Sequence, residues 1–117
     1  MRLHETLALF SDIVHHYEVI QYEVEGLHSR LKMVVFLIDG GQLHVQETVL
    51  NGQWRKYAYH WQDTIGQLRV RWDNAAHWPA IATHPHHKHI GDKDRVAASE
   101  ATTLEEVLAV IRKELAS

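Results

Sequence analysis

The chain has 117 residues, 45% of them hydrophobic, enough for one compact core and short for two ordinary domains, so one domain over 1–117 is expected. It has no cysteine, which excludes disulfides, thiolate zinc sites, iron–sulfur clusters and cysteine nucleophiles, and leaves His, Asp and Glu as the ligands for any metal. The net charge of −3 argues against a basic coat for long nucleic acids. No apolar run reaches the roughly 20 residues that span a bilayer, and the amino terminus lacks a signal pattern, so a cytoplasmic protein without membrane contact is expected.

Leu3, Leu7, Phe10 and Val14 recur at three- and four-residue intervals and predict a first helix of about twelve residues, ended by His15-His16. Five strands follow, over Tyr17–Glu25, Ser29–Ile38, Gln42–Leu50, Gln53–Gln62 and Gln67–Asp73. Asp39-Gly40-Gly41 and Asn51-Gly52 are hairpin signals, because these residues accept the positive φ of tight reversals, and short connections force antiparallel neighbours. Leu43, Val45 and Val49 alternate with His44, Gln46 and Thr48, as in a sheet with one covered face, while Met33–Ile38 reads as a central strand covered on both sides. Glu18, Glu23 and Glu25 read as edge charges that discourage aggregation. Thr103-Leu-Glu-Glu106 has capping-box spacing and starts a last helix, with Leu104, Val107, Leu108, Ile111 and Leu115 on one face and Arg112 and Lys113 near its negative end. The expected fold is α+β: a five-stranded antiparallel meander, an N-terminal and a C-terminal helix, and a long His-rich loop from Asn74 to about Ala101. A homodimer is also expected, because a small sheet with open edges readily pairs with a second copy.

That loop holds the strongest signal. Five of the eleven histidines, His77, His84, His86, His87 and His89, fall within it, directly after Arg69-Val-Arg-Trp-Asp73-Asn74. Between Arg69 and Arg95 five Lys or Arg face three Asp, leaving +2 there and −5 on the remainder, a pattern suited to a focused contact with an anion. In an extended segment His84 and His86 share one side, and His87 and His89 the other.

Two chemistries suit this set. Breaking an RNA strand without metal needs a base for the 2′-hydroxyl proton, an acid for the leaving 5′-oxygen, and cations on the phosphate. His77, His86, His87 and His89 are the acid–base candidates, with His87 and His89 as the first pair. Asp73 is the carboxylate that would orient an imidazole, and Arg69, Arg71 and Lys88 would supply charge. Spacing does not divide acid from base. No cofactor is needed on this reading. The alternative is a divalent metal on His pairs joined by His77 or Asp73. Tyr57, Tyr59 and Trp61 share one strand face and read as core, whereas Trp78, beside Pro79, and Asn74 read as contacts for a substrate. His4, His28 and His44 read as ordinary surface or sheet positions. A noncatalytic module that binds nucleic acid or protein through the same strip is the competing reading.

The run Trp61-Gln-Asp-Thr-Ile-Gly-Gln-Leu-Arg-Val-Arg-Trp-Asp-Asn-Ala75, followed by His77 and Pro85-His-His-Lys-His89, resembles the TumE family of bacterial toxin–antitoxin systems over nearly the whole chain. The resemblance implies a small growth-inhibiting toxin neutralised by a helix-turn-helix antitoxin. Where the family commonly has Asp-Asn-Ala-Pro-His-His, this chain has Ala76 for Pro and Trp78 for the second His, so that imidazole's role does not carry over. An RNA target is inferred from the residues rather than from the family.

Overall fold

The computed structural model describes residues 2–91 and 95–117. Helix α1 (Arg2–Ala8) is followed by strands β1 (Val14–Glu25), β2 (His28–Leu37), β3 (Gln42–Leu50), β4 (Trp54–Gln62), β5 (Leu68–Asp73), β6 (His87–Ile90) and β7 (Arg95–Ala98), and helix α2 (Leu104–Leu115). The strands form one antiparallel sheet in chain order. At the Asn51-Gly52 reversal both residues take the positive φ anticipated from their types, 56° and 68°.

The sheet has seven strands, not five. The extra pair lies in the stretch read as loop. β6 and β7 are four residues each and of mixed polarity, so neither carries its own hydrophobic alternation; the free edge of β5 sets their pairing. The first helix is also shorter than expected. Its three- and four-residue spacing runs past the helix end, and Val14, His15 and His16 belong to β1, where His16 stacks on Phe36 with centroids 4.2 Å apart.

Alternation along the strands sorts side chains onto two faces. Cross-strand partners share a face, so the pairings Val35–Leu43, Val45–Tyr59, Leu43–Trp61 and Tyr59–Trp72 build one continuous apolar side. Leu7, Phe10 and Ile13 from the first segment and Leu104, Val107, Leu108 and Ile111 from α2 complete this buried cluster. Glu47 accepts from Tyr59 Oη and lies 3.1 Å from Arg55, which also donates to the Thr102 carbonyl at 2.7 Å. That network ties the sheet to the start of α2. Burial and the adjoining Glu47 carboxylate push the Tyr59 hydroxyl far above its ordinary pKa, so it is a proton donor here. α2 begins as its sequence anticipates, with the Thr103 hydroxyl accepting from Glu106 N at 3.2 Å; the Glu106 carboxylate reaches back one residue further, to Thr102 N at 3.1 Å. No helix among the described residues is long and apolar enough to cross a membrane.

Because Leu108 is fully buried and Val110 is on the outer side of the same helix, the two separate core packing from helix propensity. Leu108→Ala is expected to lower unfolding free energy by about 2–5 kcal/mol in urea titrations. Val110→Ala should change it by no more than about 0.5 kcal/mol. Equal losses at both positions would contradict this packing of α2.

Candidate active site

The site is on the opposite, open face of the sheet, at the end of β5. Here Asn74 ends the strand by letting its side chain continue the ladder: Oδ1 accepts from Tyr57 N at 2.9 Å and Nδ2 donates to the Arg55 carbonyl at 2.7 Å. Asp73 Oδ1 accepts from Ala75 N at 3.0 Å, an Asx turn that swings the chain off the sheet. The chain returns through Thr83, whose hydroxyl donates to the His86 carbonyl and accepts from Ser99 N at 2.9 Å. β6 then pairs with β5 so that His87 is opposite Asp73 and His89 opposite Arg71. All four side chains therefore share the open face.

Three of them converge. His87 Nε2 is 2.9 Å from Asp73 Oδ1 and 3.2 Å from His89 Nε2, and His89 Nε2 is 3.5 Å from Asp73 Oδ2. Arg71 Nε approaches the same Oδ2 at 3.4 Å. His87 is only 2% exposed, and its Nδ1 is 3.0 Å from the Pro85 carbonyl oxygen. A carbonyl oxygen only accepts, so Nδ1 is the protonated nitrogen and Nε2 is turned toward a carboxylate and a second imidazole. A neutral ring held this way would present a lone pair to both. A cation placed between Nε2 and the carboxylate, whether a second proton or a metal ion, would satisfy both.

The donor set fits a metal. Ligand atoms 2.9–3.5 Å apart are the spacing expected around an ion about 2.0–2.1 Å from each nitrogen, and a ligating histidine usually donates its other ring N–H to a carbonyl or carboxylate, as His87 does to Pro85. Two histidines and one carboxylate leave a side open. It faces a depression of about 380 Å³ lined also by His77, Trp78, Arg71, Lys56 and Ala58.

The sequence candidates are divided by this geometry. Asp73, His87 and His89 meet; His77 and Trp78 overhang them, with Trp78 edge-on to both rings at 6.4 Å. His86 is directed elsewhere, with Nδ1 2.8 Å from the Tyr57 hydroxyl. Burial holds that hydroxyl at a pKa of about 12, so it is the donor of the pair. Lys88, between the two clustered histidines, is turned by strand alternation to the helix-bearing face, opposite Trp72. The Arg69 guanidinium lies 4.0 Å over the Trp61 ring, apart from the depression. Asn74 is spent on the β4 backbone.

Lys56, Ala58 and Gln46 line the depression and are not among the site candidates read from the sequence. Their signal was present: Lys56, Ala58 and His60 are the positions between Tyr57, Tyr59 and Trp61, so once those aromatics are placed in the core, these must face away from it. Next to the cluster, His44 and His60 are held below the ordinary imidazole value near 6.5, first by burial and then by Lys32 beside His44 and Arg71 beside His60, with His44 itself adding to the effect on His60.

The family model described as Toxin TumE matches residues 3–117 of this chain. No curated protein and no solved structure is similar enough to count as a match.

The depressed values of His44 and His60 make folding pH-dependent. Below about pH 6.5 the unfolded chain takes up protons that the folded chain resists, so stability present above that pH is lost as pH falls toward the folded values. Melting temperature should therefore drop between pH 7 and 5. In His44→Gln/His60→Gln that slope should flatten, and an unaltered slope would remove these rings from the account.

Proposed function

We propose, because the chain belongs to the TumE toxin family, that it is the toxin of a toxin–antitoxin pair and that it breaks phosphodiester bonds in RNA at the Asp73–His87–His89 cluster. The observation that carries this reading is the convergence of two imidazoles and a carboxylate around one cation position, at the floor of a depression edged by Arg71 and Lys56. Such a set can take and return a proton beside a bound anion.

In the acid–base form, Arg71 and Lys56 hold the phosphate. The 2′-oxygen attacks phosphorus while its proton passes to the cluster through His89, the more exposed of the two clustered rings. The bond to the 5′-oxygen breaks, and His77 protonates that oxygen, leaving a 2′,3′-cyclic phosphate and a 5′-hydroxyl. His87, buried and held at both nitrogens, positions Asp73 and His89 without touching RNA. Trp78 offers a ring to a flanking base. The carbonyl-anchored Nδ1 of His87 favours a second form, in which Asp73, His87 and His89 would hold a divalent ion, and that ion would supply Lewis-acid charge. The protein works in the cytoplasm, and its neutralising partner is an antitoxin, which we assign to the helix-turn-helix kind.

Purified protein incubated with end-labelled RNA is expected to give fragments ending in cyclic phosphate, and His89→Ala to slow their formation by about 10²-fold or more while remaining folded. Lys88→Ala should cleave at close to the wild-type rate. Cleavage that persists in chelator supports the acid–base form, and cleavage lost in chelator and restored by a divalent ion supports the second. Intact RNA under every condition, from protein that still arrests growth when expressed, would overturn RNA cleavage as the activity.

A further inference from the structure

The open face continues well beyond the cluster. Two rows of side chains cross the strands side by side. One runs Lys32, Gln46, Ala58, Asp73, His87, and its neighbour runs Val34, His44, His60, Arg71, His89, each residue paired with the next across the sheet. A second depression, of about 260 Å³, lies over β2–β5, with Ile20 of β1 at its far edge, and meets the one above the cluster at Gln46, Ala58 and Arg71. Its floor is low because Ala58 carries a methyl group where its neighbours carry rings or long chains.

We infer that these joined depressions form a binding track for an unpaired RNA strand, leading from the cluster across β4 and β3 to Lys32. The inference rests on the RNA reading above and adds the form of substrate and a set of residues distant from the reacting groups. From β5 to β2 the track covers three strand spacings, roughly 14 Å, long enough for nucleotides beside the one being cleaved. Its chemistry is that of a single-strand surface. Lys32, Lys56 and Arg71 are spaced along it for phosphates, His44 and His60 present rings for stacking, and Gln46 and Gln62 present amides to base edges. Among the residues lining both depressions the one carboxylate is Asp73, at the cluster end. A duplex, whose bases are hidden behind its backbones, could not place them on these rings. Burial is the first cause of the lowered His44 and His60 pKa values, and the smaller contributions of Lys32 and Arg71 agree with a cationic floor.

The test is fluorescence anisotropy of the full chain with a short, labelled 2′-O-methyl RNA of unpaired sequence, which cannot be cleaved, and with the same strand in a duplex. Wild type should bind the single strand more tightly than the duplex. Lys32→Gln/His60→Gln should weaken single-strand binding by about tenfold or more, and Lys32→Gln alone should reduce the salt slope by about 0.7. Ala58→Leu, which fills the floor and removes no charge, should weaken binding as well, and Lys113→Gln on α2 should not. Lys32 is exposed, so its single variant still gives a result if the double one fails to fold. If wild type cleaves RNA while all three track variants bind as it does, or if the duplex binds equally well, the track is wrong and the RNA reading stands. If wild type neither binds nor cleaves RNA, both fall together.

Discussion

Side chains along a strand alternate between faces, and this period of two governs the arrangement of the whole molecule. On β4 it puts Tyr57, Tyr59 and Trp61 under the helices and Lys56, Ala58 and His60 on the open side; on β5 it separates Trp72 from Arg71 and Asp73; on β6 it separates Lys88 from His87 and His89. Because antiparallel partners share a face, the unbroken register of β2–β3–β4 and of β5–β6–β7 carries the sorting from strand to strand. A slip of one residue between β5 and β6 would bury His87 and His89 among the core aromatics and expose Lys88 at the site. The apolar face, which packs Trp61, Trp72 and α2, therefore also fixes the position of the polar cluster.

Within that frame the cluster is defined by a charge requirement. The Pro85 carbonyl fixes which nitrogen of His87 carries a proton, and so leaves Nε2 directed at Asp73 and His89. One positive charge satisfies all three groups. Whether that charge travels with a proton or a metal ion, the arrangement is prepared before any substrate arrives, which is how enzymes avoid reorganising polar groups during reaction.

Much of this was legible in the sequence. The core strands β2 to β5 were bounded to within a residue, since their alternation and turn residues are local signals, and the capping spacing at Thr103–Glu106 placed α2. Asp73, His87 and His89, whose side chains converge, were among the candidates that the run of histidines after Asp73 marked. What local signals could not supply was the register of β6. Read as loop, Pro85-His-His-Lys-His89 left His86 and Lys88 as candidates beside His87 and His89; paired with β5, it sends Lys88 to the far face and leaves His86, ahead of the strand, to the Tyr57 hydroxyl. A four-residue polar strand owes its existence to its neighbour, and pairing of that kind has no period to detect. The error at Val14 is the reverse case: a helical spacing continued by coincidence into a strand.

The order of the strands has a consequence for when the cluster is completed. A growing chain emerges amino end first, and the cluster joins Asp73 to residues that pair only after β6 has followed β5. The tyrosines and tryptophans of β4 and β5 then still lack their cover, because Val107, Leu108 and Ile111 follow all seven strands in the chain. A nascent chain that stalls anywhere before α2 therefore exposes its core and has no settled site. α2 must thus be made before the cluster, whose carboxylate at Asp73 lies more than thirty residues earlier in the chain, can settle into place.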